Sequence, residues 1–271
     1  MSDQTQIIRP MKRTDWRSFK HLDSEIFPED KITKEEFTRF AKEEGSFILE
    51  SDSGVLIGYL ILRRFGDDAG HLGRIGVAKS MQVKGFGTKL MEFALNWFKE
   101  KGGIQQIILY TQKDNFAAHK LYRKLGFEVV GTTWHYFVPF ETLNPSGLYR
   151  CQLIQSSEIK VVGKQYNVSL PTAQIKRFIE RGQLVFTLKS PDEKIVGACR
   201  FSPSFPGCFP FEIEHVESFD DFISSLRPYS LPKFDYIRVT FTDNAKLAQL
   251  CKNRGYRLHH ELHKMQLDLT K

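Results

Sequence analysis

A chain of 271 residues is long for one compact domain and comfortable for two, and its 41% hydrophobic and 26% charged content excludes general disorder. The net charge of +7 divides into 21 Lys+Arg against 18 Asp+Glu over residues 1–140 and 18 against 14 beyond, so there is no basic tail. That spread disfavours a nucleic-acid partner and leaves a mild anion preference that suits a polyphosphate ligand. No apolar run reaches bilayer length, and the start Met1-Ser2-Asp3-Gln4-Thr5-Gln6 lacks the pattern of a signal peptide. Cys151, Cys199, Cys208 and Cys251 show no CxxC pair and no histidine at metal-ligand spacing. The expectation is a cytoplasmic protein with reduced thiols, no membrane association and no metal.

Residues 7–10 read as a short first strand, and Thr14-Asp15-Trp16-Arg17 opens a helix with Phe19, Leu22 and Ile26 on one side. Phe27-Pro28-Glu29-Asp30 breaks it, and Thr33-Lys34-Glu35-Glu36 spells a capping box for a second helix. Residues 46–50 and 55–64 form a hairpin about the turn 51–54, with Gly58 marking a bulge or a close backbone approach. A strand over 72–77 precedes a helix over about 87–100 that buries Leu90, Phe93, Ala94 and Trp97 and ends at Gly102-Gly103. Strand 104–111, helix 115–125 and strand 127–140 follow. Asn144-Pro145-Ser146-Gly147 carries three turn formers and no periodicity, which makes it the linker candidate.

The second half repeats the first in outline. Residues 183–188 and 195–201 make another hairpin, and strand 236–242 leads into Asp243-Asn244, a helix to Arg254 and a final strand to Leu269. At an offset of 129, Asp114-Asn115 meets Asp243-Asn244, Leu121 meets Leu250, and Gly126-Phe127 meets Gly255-Tyr256. Two tandem copies of one fold are expected, over 1–143 and 148–271.

Two stretches of the first copy carry chemistry. Gln82-Val83-Lys84-Gly85-Phe86-Gly87-Thr88 reads as a turn opening a helix. Its glycines remove side chains that would keep a pyrophosphate from the main-chain amides, and the helix adds its N-terminal partial charge. The stretch lacks the third glycine of a dinucleotide fingerprint and is not a GxxxxGK[ST] loop. Taken alone, either glycine also fits a plain helix-entry turn. Further on, Asn115 sits at a strand end, where it also suits a helix cap, and Tyr122 falls two helical turns later.

In this order and spacing the two stretches resemble the GNAT superfamily of acyl-CoA N-acyltransferases, over roughly residues 5 to 140. Gln82-Val83-Lys84-Gly85-Phe86-Gly87 matches the family's [RQ]xxGx[GA] turn position for position. The resemblance implies an α+β fold in each copy, a mixed and mostly antiparallel twisted sheet flanked by helices. It implies acetyl-CoA as cosubstrate, its pyrophosphate on the amides of Gln82, Val83, Lys84, Gly85, Phe86, Gly87 and Thr88. The pantetheine arm would pair with the strand edge at Ile75 and Val77, near an amide that polarises the thioester carbonyl. Asn115, Ala118 and Tyr122 would complete the donor site. Tyr122 would be the catalytic residue, protonating the departing thiolate. The acceptor expected is a primary amine, of a small molecule or a protein, attacked directly in a ternary complex by a monomer or homodimer.

The general base is not legible. A lysine amine loses its proton at a cost of roughly 4.6 kcal/mol at neutral pH and an α-amine at about 1. Related acetyltransferases of protein N-termini often place a Glu on the strand leading to the Asn; here that strand reads Leu109-Tyr110-Thr111-Gln112-Lys113. Glu50, His71 and His135 stand as candidates. The missing carboxylate keeps open a CoA-binding sensor or scaffold without activity. Transfer to a hydroxyl or thiol, or from an aminoacyl-tRNA donor, is a further alternative, although the unclustered charge weighs against RNA. In the second copy Cys251 takes the place of Tyr122, and Ser218-Phe219-Asp220-Asp221-Phe222 stands where the glycine turn would be. That copy is expected to be degenerate and to bind no CoA.

Overall fold

The computed structural model describes residues 6–65, 68–203 and 206–270, so the reading of residues 1–5 as free of a signal peptide lies outside the described residues. Backbone contacts divide the chain into two compact units. The first comprises Met1–Thr111, Asn115–Val129 and Met265–Lys271; the second comprises Gln112–Asp114 and Val130–Lys264.

The first unit runs β1 (Gln6–Pro10), α1 (Trp16–Ile26), α2 (Lys34–Phe40), β2 (Ser46–Ser51), β3 (Leu56–Phe65), β4 (Ala69–Val77), α3 (Phe86–Lys101), β5 (Gln106–Gln112) and α4 (Phe116–Lys124). The expected capping box forms: Thr33 accepts from the Glu36 amide and Glu36 accepts from that of Thr33. The strands lie in the order β1-β2-β3-β4-β5, antiparallel except for the parallel pair β4–β5. Gly58 fulfils both readings. The β2–β3 register shifts beside it, and a Cβ there would lie 2.6 Å from the Gly76 carbonyl oxygen.

Helices cover both faces of this sheet. Phe19, Leu22, Phe37 and Phe40 of α1 and α2 pack with Ile48, Tyr59 and Ile61 on one side, and α3 packs with Leu49, Leu60, Leu72 and Leu109 on the other. In α3 the fully buried residues are Leu90, Met91, Ala94 and Phe98. Phe93 and Trp97, expected inside, are half-buried at the margin, where both rings edge onto Phe47. Apolar residues on two adjacent stripes satisfy the helical period equally, and the sheet selects the stripe.

The second unit contains β6 (Glu128–Pro139), β7 (Arg150–Leu153), α5 (Ile159–Gln165), α6 (Thr172–Glu180), β8 (Leu184–Lys189), β9 (Ile195–Ser202), β10 (Gly207–Ile213), α7 (Phe219–Leu226), β11 (Tyr236–Thr242), α8 (Ala245–Asn253) and β12 (Arg257–Asp268). Its strand order is β12-β6-β11-β10-β9-β8-β7, with β10–β11 as a parallel pair. The repeated plan of hairpin, parallel strand, helix and strand is present.

Packing does not follow the order of the two sequence copies. The last part of β12 belongs to the first unit, where Met265 is fully buried and the Leu269 amide donates to the Gln105 carbonyl. The stretch Asn144-Pro145-Ser146-Gly147, read as a linker, is a fixed part of the second unit. Asp220 accepts from the Asn144 amide, and Asp221 accepts from the amides of Ser146 and Gly147 and from the Ser146 hydroxyl. Arg254 pairs with Asp220. Two buried carboxylates thus satisfy a turn whose composition alone signals freedom.

Candidate functional site

In the first unit β4 and β5 pair only from Ala69↔Gln106 to Leu72↔Leu109. Beyond Leu72 the strands part, and among the described residues the edge of β4 through Val77 has no ladder to β5. Gly73 is an extra residue against β3, because Ile61 opposes Arg74 while Leu62 opposes Leu72. This bulge flips the alternation that follows, placing Ile75 and Val77 against the α3 core and Arg74 on the α1 side. A fork therefore opens at the strand ends, with backbone groups along one prong.

The turn Gln82–Thr88 lies at the end of that prong. Gln82 Nε2 donates to the Val77 carbonyl at 3.1 Å, and Lys84 Nζ donates to that of Ser80 at 2.9 Å. Both side chains brace the turn. Val83 is fully exposed with φ 61°, and Gly85 has φ 87° as the N-cap of α3 with no side-chain cap of its own. A β-branched residue held left-handed on the surface costs about 1–2 kcal/mol, and such strain gathers where a backbone shape is needed. The turn presents main chain, then Phe86, Gly87 and Thr88, half-buried in the first helical turn.

Gly87 joins the two motifs, since a Cβ there would meet Leu121 of α4 at 3.3 Å. Asn115 caps α4, its Oδ1 accepting from the Ala118 amide at 3.1 Å. Tyr122 is buried beside Phe127, and no hydrogen bond holds its hydroxyl among the described residues. Burial pushes its pKa up to about 12. The phenol therefore stays protonated at neutral pH, as a proton donor must.

The three candidate bases fare differently. Glu50 is on β2, bound through both oxygens to Arg9 at 2.8 and 2.7 Å, which holds its carboxyl below the usual range. It is a structural ion pair and not a base. His71 lies on β4 opposite Arg63, in the stretch still paired to β5, with its ring edge-on to Tyr110. Burial and the Arg63 charge lower its pKa to about 4, leaving a neutral but weakly basic imidazole. His135 belongs to the second unit and packs with His259 and His260.

Sequence reasoning missed a network on the α1 side of β4. Asp23, 1% exposed, accepts from the Tyr59 hydroxyl at 2.6 Å, the Ile32 amide at 2.8 Å and Arg74 at 2.9 Å. Arg74 also donates to the Tyr59 oxygen and the Asp30 carbonyl, and stacks over the Phe27 ring at 3.9 Å. The network ties the connection between α1 and α2 to β4 just past its bulge. Its signal was a carboxylate four residues after Phe19, on the apolar stripe of α1.

The second unit keeps a fork in outline. β10 pairs with β11 at Gly207↔Arg238 and Cys208↔Val239 only, and a bulge follows. Here Asn244 Nδ2 donates to the Ile213 carbonyl at 3.4 Å, closing the strand end with the protein's own amide. Phe219, Asp220, Asp221 and Phe222 bury the start of α7. Cys251 is buried and its thiol is pushed up to about 12, far from a reactive thiolate.

Known proteins resemble this chain in sequence over its first copy and in fold. The model of the acetyltransferase (GNAT) family matches residues 12–127. The mycothiol acetyltransferase of Mycolicibacterium gilvum is 31% identical over 87 residues, 31% of this chain and 29% of that protein, so the match spans under a third of the relative. A GCN5-related N-acetyltransferase from Sphaerobacter thermophilus superposes with a TM-score of 0.73 at 11% identity, covering 97% of this chain and 95% of the other. A tandem GNAT protein from the clavulanic acid biosynthesis pathway gives 0.63 at 11% identity, covering 97% and 98%. These two likenesses are of fold. The family match covers the first copy, residues 12–127, and the fold is shared from end to end with a tandem GNAT protein.

Proposed function

We propose that the protein is an acetyl-CoA-dependent N-acetyltransferase whose first copy carries the donor site and whose second copy is degenerate. The observation that carries the reading is the β4–β5 fork, bordered by a strained, backbone-presenting turn and backed by a protonated Tyr122. The cosubstrate supplies an activated acetyl thioester. The amides of residues 82–88 would hold its pyrophosphate, with the α3 N-terminus adding favourable charge. The free edge of β4 at Ile75 and Val77 would pair with the pantetheine arm, and an amide near Val77 would polarise the thioester carbonyl. Asn115 and Ala118 would border the arm.

A neutral amine would attack that carbonyl directly, in one ternary complex. Tyr122 would give its proton to the departing sulfur, and the attacking nitrogen would lose one to solvent as the tetrahedral adduct becomes the amide; solvent then reprotonates the phenolate. Glu50 is committed to Arg9 and His71 is weakly basic, so an acceptor already low in amine pKa is favoured. An α-amine is therefore a better candidate than a lysine side chain.

Calorimetric titration with acetyl-CoA should give one site per chain, abolished by Gly87→Glu, whose carboxylate would occupy and repel the phosphate's place. Acetyl-CoA consumption against a panel of primary amines then tests transfer. Two equivalent sites, or none, would overturn the donor-site assignment. Tight binding with no turnover on any amine would leave the sensor reading in its place.

A further inference from the structure

β4 lies between β3 and β5, yet part of it is open. Leu72 and Gly76 are buried, while Gly73 is exposed and Arg74 and Ile75 are half-buried. A Cβ at Gly73 would meet nothing closer than 3.4 Å, whereas one at Gly76 would strike Ile26 and Tyr59 at 2.8 and 2.9 Å. The window therefore spans residues 73–75, where the bulge falls and the ladder to β5 has just ended. Tyr122 packs in the α3 cluster, so a thiolate leaving toward it departs on that face of the sheet. An attacking amine then comes from the opposite face, where Arg74 lies.

Arg74 is held rigidly there and is not fully used. Nε donates to the Tyr59 oxygen at 3.0 Å, and Nη2 serves the Asp30 carbonyl at 2.6 Å and Asp23 at 2.9 Å. Its bond to the Tyr59 hydroxyl draws the guanidinium along β4 toward Gly76, which the Tyr59 ring crosses. A guanidinium carries five N–H donors; these contacts take three, and among the described residues the two on Nη1 have no partner. The side chain keeps 18% of its surface open. A lysine would neutralise Asp23 equally well. Only the planar fork of an arginine adds a donor on the side away from that carboxylate.

We propose that Nη1 of Arg74 binds a carboxylate of the acceptor, so that the amine acetylated is that of a small amino acid and not of a protein lysine. The inference rests on the acetyl-transfer reading and adds the acceptor class to it. A charge-assisted bond to a carboxylate is stronger than a neutral one, and a guanidinium already fixed by Tyr59, Asp23 and Asp30 loses little freedom in forming it. The same contact rejects amines without a carboxylate, because they leave Nη1 covered and unpaired. Arg74 thus determines specificity without touching the reacting atoms.

The test uses the full-length protein and follows acetyl-CoA consumption with each standard amino acid beside its carboxamide. The carboxamide lacks the charge that keeps the amine protonated, so it would react faster if no carboxylate were read. One or more free acids should instead be preferred at least tenfold in kcat/KM. Arg74→Lys, which keeps a cation beside Asp23, should raise KM for that acid at least tenfold, leave kcat within about threefold and erase the preference over the amide. Unchanged acetyl-CoA affinity by calorimetry reports an intact fold in this variant, and Arg74→Met serves as a second. A wild-type preference for the amides, or a KM unmoved in both variants, would overturn the assignment. Acetyl-CoA binding with no amino acid acetylated would overturn it while the donor site stands. No acetyl-CoA binding at all would remove the transfer reading, and this assignment with it.

Discussion

Replacing Asp23 by alanine removes a carboxylate that three donors share inside the first unit. The Tyr59 hydroxyl is fully buried, the Ile32 amide is nearly so, and Arg74 keeps the neutral Tyr59 oxygen and Asp30 carbonyl as acceptors. Breaking a buried ion pair from one side costs about 3–5 kcal/mol, and each orphaned neutral donor adds to the same total. We expect a loss of about 4 kcal/mol, or roughly 10 °C in melting temperature. Asp23→Asn, which keeps shape and one acceptor, should cost about half as much. Adding Arg74→Met to Asp23→Ala should recover part of the loss, because the uncompensated charge goes with it. Urea denaturation by circular dichroism gives the energies, and hydrogen exchange over residues 27–33 reports whether the α1–α2 connection loosens. A cost under about 1 kcal/mol for Asp23→Ala, or strict additivity of the two substitutions, would refute this account of the network.

Tyr122→Phe should lower kcat by about 10²–10⁴-fold while acetyl-CoA affinity changes little, measured by steady-state kinetics and calorimetry once an acceptor is found; an unchanged kcat would leave Tyr122 a packing residue. Val83→Gly should stabilise the protein by about 1 kcal/mol in thermal melts, since it relieves a left-handed β-branched residue whose side chain touches solvent alone. His71 has a folded pKa of about 4 against an ordinary value near 6.5, so its contribution to stability is complete above pH 6.5 and fades as pH falls toward 4. Between pH 7.5 and 4.5 the wild type should lose up to about 3 kcal/mol more than His71→Gln, and parallel denaturation profiles would contradict this burial.

What the sequence made legible was local. The Thr33 capping box, the Gly85 turn and the Asn115 cap each depend on a few consecutive residues, and all three are present. Leu90 and Ala94 were recognisable as core, whereas the choice between Trp97 and Phe98 belongs to the sheet beneath them. Contacts between distant residues escaped. Asp23 and Arg74 are 51 positions apart, and His135 and His259 are 124 apart, so no spacing rule reveals either grouping. Asn144 to Gly147 misled because two aspartates some 75 residues later supply the partners its composition lacks. Glu50 was a reasonable base by residue type, and only the geometry of Arg9 shows it committed.

The membership of Met265 in the first unit bears on how the protein is made. The first unit has Val129 in hand long before the ribosome reaches Met265, 136 residues later. At ordinary elongation rates this is a wait on the order of ten seconds, during which the exit edge of β5 and the pocket that Met265 fills are open. A nascent chain stalled within the second copy therefore exposes an unfinished sheet to chaperones and proteases. Synthesis that runs past Leu269 closes it, so the first unit matures only after the second copy has been translated.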